Sequence, residues 1–246
     1  MEIKVTSSDK LRVDKYLAEA GCGTRSEVKK IIKTGAVLLN NTVVKDGAVK
    51  VNTETDNVVC LGKPLSYSQY HYIMLSKPAG CVTATRDNVH KTVMDCLPQD
   101  LHKNLAPVGR LDLDTEGLLL ITDNGDLAHR LLSPVHHVPK TYYAKIRGVV
   151  LPEHIELFAE GVDIGEDKLT KPAVLEIINT DDAASEIKVT ITEGKYHQVK
   201  RMFHAIDCEV VYLKRLSMGS LVLDETLQPG EWRYLTKEEE EYLLSC

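Results

Sequence analysis

The sequence predicts an α+β protein of two domains, a small basic module and then a larger acidic domain with a largely antiparallel sheet. Three observations carry this expectation. Charge is unevenly spread along the 246 residues: 30 Lys and Arg stand against 36 Asp and Glu, a net of −6, yet residues 1–60 hold ten cations against eight carboxylates, a net of +2 that leaves −8 for the rest. The polar stretch Ser66-Tyr67-Ser68-Gln69, following Lys63-Pro64, reads as a linker. From Tyr70 onward strand-like and helical patterns alternate, without an internal repeat. The expected boundaries are 1–62, a linker at 63–70, and 71–246.

In the first domain Val13, Tyr16, Leu17 and Ala20 recur at helical spacing, and Gly21 and Gly23 end the pattern. Thr24 and Glu27 form a capping box for a second helix, which Gly35 closes. Its apolar side is Val28, Ile31 and Ile32. Arg25, Lys29 and Lys33 follow one another four residues apart and so form one basic stripe on a different face. Strands are expected at Val37–Leu39, Thr42–Val44 and Val49–Val51, with turns at Asn40-Asn41 and Asp46-Gly47.

In the second domain Tyr72–Leu75 reads as a strand ending in the turn Lys77-Pro78-Ala79-Gly80. Leu118–Ile121 is a buried strand that turns at Asp123-Asn124-Gly125 into a helix capped by Asp126. Pro139–Ala144 is a strand, Pro152 starts a helix and Gly161 ends it. Ile187, Val189 and Ile191 alternate as a half-buried strand. His197–Ile206 is an amphipathic helix with Val199, Met202, Phe203 and Ile206 on its apolar face, and Val210–Leu213 is a further strand.

Composition excludes several classes. A hydrophobic fraction of 43% fills a core, and 27% charged residues is ordinary for a soluble domain. No apolar run approaches the ~20 residues of a membrane span, and Met1-Glu2-Ile3-Lys4-Val5 lacks the layout of a secretory signal. Cys22, Cys60, Cys81, Cys96, Cys208 and Cys246 form no Cys-x-x-Cys pair, which argues for a reducing cytoplasm and against zinc ribbons. A net acidic chain meets nucleic acid only through a local basic face.

Read as residues alone, the chemistry-bearing segments stay open. Gly109-Arg110-Leu111-Asp112-Leu113-Asp114-Thr115-Glu116-Gly117 sets three acids and an arginine against a buried strand, as an acidic surface turn or as a site. Glu193-Gly194-Lys195-Tyr196-His197-Gln198-Val199-Lys200-Arg201-Met202 is a solvated helix start or a phosphate cradle. The stripe of Arg25, Lys29 and Lys33 is a solvated face or an RNA-facing one.

Residues 11–17, 24–28, 31–35 and the Val37–Val51 hairpin region resemble an S4 RNA-binding domain in order and spacing. Across nearly the whole chain, Ser76-Lys77-Pro78-Ala79-Gly80, Gly109 to Thr122, Lys140-Thr141-Tyr142-Tyr143-Ala144, Gly194 to Phe203, and Leu213-Lys214-Arg215 with Gly219 and Leu221 resemble the five motifs of the RsuA-type pseudouridine synthases. That resemblance implies an S4 domain joined to a catalytic domain whose central, largely antiparallel mixed sheet is flanked by helices. It implies isomerisation of uridine in ribosomal RNA, in the cytoplasm, by a monomer away from membranes, with neither a metal nor an organic cofactor.

Carried over residue by residue, the resemblance makes Asp112 the catalytic aspartate and Arg110 the arginine that fills the gap left by a flipped nucleotide. It places Tyr142 beside the target base, Lys200 as the cation paired with Asp112, and Leu213 on the uracil pocket. Arg12, Lys15, Arg25, Lys29 and Lys33 become RNA contacts of the S4 domain. Asp114 is an extra acid read as solvated surface. Asp207 stands where the family usually has glycine, which puts the end of that helix in question. Tyr196-His197-Gln198-Val199-Lys200 is more similar to the small-subunit (16S) branch, with a target of the position-516 type, than to the large-subunit (23S) branches. The rival readings are a 23S enzyme, an inactive S4 RNA-binding protein, and a hydrolase on Ser133, around which no nucleophile elbow stands.

Overall fold

The computed structural model describes residues 10–53, 55–65, 70–102, 104–133 and 135–245, and its contacts group the chain into two units, Met1–Gln69 and Tyr70–Cys246. The expected linker residues Ser66-Tyr67-Ser68-Gln69 and the N-terminal Met1–Val5 lie outside the described residues.

Local signals in the first unit are strong where a side chain can complete a helix end. After β1 (Lys10–Arg12) come α1 (Val13–Glu19) and α2 (Arg25–Lys33). Glu27 N donates to Thr24 Oγ1 at 3.4 Å while Thr24 N donates to Glu27 Oε2 at 2.8 Å, the reciprocal cap that its spacing predicts. Val13, Tyr16, Leu17, Val28 and Ile32 turn inward onto one core. The strands β2 (Val37–Leu39), β3 (Thr42–Val43), β4 (Lys50–Asn52), β5 (Val58–Cys60) and β6 (Lys63–Leu65) follow. They form a sheet in the order β3-β2-β5-β6 and a separate antiparallel β1-β4 pair. Asn40 and Asn41 both take left-handed φ, 50° and 65°, as a two-residue hairpin turn demands. The expected strand at Val49–Val51 therefore exists as β4 but pairs with β1 rather than extending the hairpin.

The second unit is a single sheet of β7 (Tyr72–Lys77), β8 (Ala106–Pro107), β9 (Glu116–Thr122), β10 (Lys140–Arg147), β11 (Val174–Thr180), β12 (Ala184–Ile191), β13 (Glu209–Met218), β14 (Leu221–Val222) and β15 (Trp232–Tyr234). The main order is β11-β12-β10-β13-β9-β7-β15, with β14 on β13 and β8 on β9. Among the described residues β9 and β13 are the one parallel pair, so the sheet is mixed but largely antiparallel. Around it stand α3 (Gly125–Leu132), α4 (Glu153–Glu160), α5 (Gln198–His204) and α6 (Lys237–Ser245), and no helix there is long and apolar enough to cross a membrane.

The strands β7 and β9 are buried on both faces. Met74, Leu118 and Leu120 enter one core with α3, while Ile73, Leu75, Leu119 and Ile121 enter another with the turn Val93–Cys96. This is why both read as unbroken apolar runs rather than alternating ones. The strands β10, β12 and β13 bury one face only, against Phe158 of α4 and Met202 and Phe203 of α5.

Some helix ends differ from expectation. Asn124, not Asp126, caps α3, its side-chain oxygen accepting from Leu127 N at 3.0 Å; Asp126 sits inside the first turn. The helix expected over His197–Ile206 is α5, shorter at both ends. Asp207 adopts φ 57°, the left-handed conformation that glycine takes without cost and that aspartate tolerates, so the helix ends as the motif requires. The strand expected at Val210–Leu213 runs on to Met218.

Gly117 (φ 101°) is where β9 meets β13: a Cβ there would stand 2.3 Å from Arg215 O and 2.8 Å from Arg215 N. Only glycine permits this approach, which joins the segment before β9 to the strand carrying Leu213. Gly117→Ala should lower stability by roughly 1–3 kcal/mol, as overpacking does, read as a lower denaturant midpoint at unchanged slope.

Candidate active site

The loop Gly109–Thr115 ends at β9, and one of its anchors is a side chain from the neighbouring strand. Lys77 is the last residue of β7 and is fully buried. Its Nζ donates to three carbonyls, those of Pro78 at 3.0 Å, Asp112 at 3.0 Å and Thr115 at 2.8 Å. Burial pushes this ammonium below its ordinary pKa, against the upward pull of Cys81, Asp114 and Asp112. Thr83 Oγ1 holds the other end of the loop, accepting from Leu111 N at 3.1 Å and donating to Leu111 O at 2.7 Å. The Asp112 carboxylate is thus presented by a backbone fixed from beneath.

That carboxylate opens into a cleft of about 700 Å³, whose walls include Arg110, Asp112, Tyr142, His197, Lys200 and Leu213. All five catalytic-domain residues proposed from sequence therefore meet in one place. Tyr142 and Leu213 are buried on adjacent strands, where Tyr142 stands opposite Arg215 and Ala144 opposite Leu213. The strand period sends Tyr143 to the other face, where its hydroxyl donates to Glu186 at 2.5 Å. Arg110 is exposed at the rim.

Lys200 Nζ lies 3.5 Å from Asp112 Oδ2, but it donates to both oxygens of Asp114, at 2.6 and 2.8 Å. Asp114 is thus no idle surface acid. Partial burial raises its pKa, yet the hydrogen bond and charge of Lys200 outweigh this and leave it lowered. His197 approaches from the other side, its Nε2 3.6 Å from Asp112 Oδ1. It precedes α5 in a left-handed backbone conformation, φ 48°, and stacks on Tyr196 with ring centroids 3.8 Å apart. Such backbone is uncommon outside glycine, and it concentrates at functional sites.

The cations that suggested a phosphate cradle at α5 are engaged otherwise. Lys195 Nζ is 3.1 Å and Arg201 Nη1 2.6 Å from Glu166, and Lys200 is taken up by the two aspartates. In the first unit Arg25, Lys29 and Lys33 are exposed, with no carboxylate within 4.0 Å among the described residues. Arg12 is instead paired with Asp14 at 2.7 Å and Lys15 with Glu19 at 3.6 Å, so the stripe of three is the stronger anion surface. Sequence reasoning assigned no role to Lys77 or His197, although both stand inside quoted motifs. A lysine closing the apolar run Tyr72–Leu75 was the available signal for the first.

Residues 71–205 match the RNA pseudouridylate synthase family and residues 11–58 the S4 domain family. A Bacillus subtilis protein described as an uncharacterized RNA pseudouridine synthase is 48% identical over 93% of this chain and 96% of its own length. Ribosomal small subunit pseudouridine synthase A is 45% identical in Vibrio parahaemolyticus, over 93% of this chain and 97% of that one. In Escherichia coli K12 it is 42% identical over 93% and 98%. A crystal structure of a pseudouridylate synthase superposes with a TM-score of 0.67 at 42% identity, covering 95% of this chain and 99% of the other.

Lys77→Met should remove the donor from three carbonyls at once. Leaving buried acceptors unpaired costs about 1–3 kcal/mol, so the melting temperature should fall. Limited proteolysis should then cut first in the Gly109–Thr115 loop.

Proposed function

The chain belongs to the RNA pseudouridylate synthase family, an isomerase with an S4 domain ahead of its synthase domain, and from this we propose that it converts a uridine of small-subunit (16S) ribosomal RNA, of the position-516 type, into pseudouridine. The observation that carries the reading is the Asp112 carboxylate at the cleft wall, with Lys200 and His197 on its two oxygens and Tyr142 and Leu213 beside it. The relatives named for the small ribosomal subunit support the choice of RNA. The substrate is ribosomal RNA, free or within an assembling small subunit.

The reaction breaks the N1 glycosidic bond, turns the uracil and joins C5 to the same sugar carbon. Nothing is added and nothing is oxidised, so the residues need only bind, orient and move protons. A stacked base is out of reach, and the target nucleotide must be flipped into the cleft. Arg110, exposed at the rim, has the planar cation to fill the gap. Tyr142 and Leu213 give the uracil apolar contact, and the Tyr142 hydroxyl makes no hydrogen bond among the described residues, which leaves it able to assist proton removal from C5. Asp112 acts as the ionised carboxylate, on the sugar, on the base or on a sugar proton. Lys200, 3.5 Å from Asp112 Oδ2, offers the opposite charge when substrate excludes water.

Mapping pseudouridines in ribosomal RNA from a deletion strain against the parent tests this reading: one site in 16S RNA should revert to uridine. Loss in 23S RNA instead would overturn the assignment of substrate, and loss of none would overturn the activity.

Two variants test the division of labour. Lys200→Met should lower turnover by about tenfold or more, the scale of a lost charge-assisted contact, with melting little changed; equal turnover would remove the cation from the chemistry. Reversing Arg25, Lys29 and Lys33 to glutamate should raise the apparent KM for RNA and flatten its salt dependence. Turnover at saturating RNA should be kept.

A further inference from the structure

Two buried side-chain polar atoms among the described residues have no hydrogen-bond partner, Thr115 Oγ1 and Arg215 Nη2, and both residues line the same cleft as Asp112. Buried polar groups in native proteins are paired in the great majority of cases, so an orphan at a cleft wall points to a missing ligand. Arg215 is the stronger pointer, because a guanidinium cannot shed its charge. It is 2% exposed. Its Nε donates to Leu118 O at 2.8 Å, and no carboxylate lies within 4.0 Å of it among the described residues.

A second cation shares the wall. Lys140 begins β10, two residues before Tyr142 and hence on the same face, and it too lines the cleft. Its Nζ donates to Val138 O at 3.0 Å and has no carboxylate partner among the described residues. Burial first, and then the charge of Arg215, push its pKa down. The carboxylates of this cleft are occupied elsewhere: Asp112 faces Lys200 and His197, and Glu193 Oε1 accepts from Lys171 N and Gln198 Nε2, each at 2.9 Å. A bulge helps set the geometry. Thr141 pairs with Ser217 but Tyr142 with Arg215, so Leu216 is the extra residue. Bulges of this kind re-aim side chains beside active sites.

We propose that Lys140 and Arg215 form an anion subsite in the cleft that holds a phosphodiester of the substrate RNA next to the target uridine. Two uncompensated cations beside the proposed uracil pocket call for an anion, and RNA brings one with every nucleotide. The step from Lys140 to Tyr142, roughly 7 Å along a strand, suits a phosphate and a base of one nucleotide. The phosphate would fix the sugar against Asp112 while the base turns, a grip that must persist when the glycosidic bond is broken. The inference rests on the RNA-modifying reading above.

The test uses the full-length protein and small-subunit ribosomal RNA at several salt concentrations. Lys140 is half-buried and can be replaced without opening the core, so Lys140→Met and Lys140→Arg carry the experiment. Lys140→Met should lower kcat/KM by about tenfold or more. Its slope of log kcat/KM against log salt should be shallower by about 0.7, the release expected for one phosphate contact on a single strand. Lys140→Arg should recover most of both. A methylphosphonate at one linkage flanking the target should weaken wild type and add no further loss to Lys140→Met. A wild-type salt slope in Lys140→Met, or losses that multiply at every flanking linkage, would overturn the subsite. A wild type that forms no pseudouridine in this RNA would instead overturn the functional reading beneath it.

Discussion

A buried lysine organises the second unit. The strand β7 lies between β9 and β15 and is covered on both faces, so its last side chain, Lys77, has no route to water. An ammonium in that position is tolerable only if the chain brings oxygens to it. Three carbonyls converge on it, and those of Asp112 and Thr115 come from the loop that carries the candidate carboxylate. Solvating Lys77 and placing Asp112 are one structural problem. Among the described residues no carboxylate lies within 4.0 Å of Lys77, so the three carbonyl oxygens are its solvation.

Above the loop the electrostatics are competitive rather than paired. Lys200 sits closer to Asp114 than to Asp112, 2.6 Å against 3.5 Å. Asp114 is well exposed and surrenders its partner to water at little cost. A substrate that covers the cleft changes that balance, because desolvation strengthens the attraction between Lys200 and whichever carboxylate stays inside. On the proposed chemistry, Asp114 is then a parking place for Lys200 in the empty enzyme. His197, held by its stacking on Tyr196, approaches the second Asp112 oxygen without reaching hydrogen-bond distance.

Much of this was legible in the sequence, for reasons that differ by element. Thr24 and Glu27 announced a helix start because a capping box is a local hydrogen-bond pattern. Ile187, Val189 and Ile191 announced a strand because β12 buries one face only. The strands β1, β5 and β6 are as short as β2 and β4 but lack an adjoining Asn-Asn or Asp-Gly turn to mark them. Asn124 and Asp126 both suit the cap and only Gly125 separates them, so the sequence alone does not choose between them. At the site, motif resemblance gathered Asp112, Arg110, Tyr142, Lys200 and Leu213 on one cleft. It did not reveal that Lys200 is shared with Asp114, since that depends on side-chain distances across a loop. Nor did it distinguish Lys140 and Arg215, whose lack of carboxylate partners among the described residues depends on distances across the sheet.

The central claim is that Asp112, and not its neighbour Asp114, is the reacting carboxylate. It is tested most directly by measuring tritium release from C5-labelled small-subunit ribosomal RNA with Asp112→Asn and Asp114→Asn side by side. The account predicts no release from Asp112→Asn, with RNA binding and melting unchanged, and retained turnover from Asp114→Asn. Substantial release from Asp112→Asn, or a greater loss from Asp114→Asn, would contradict it.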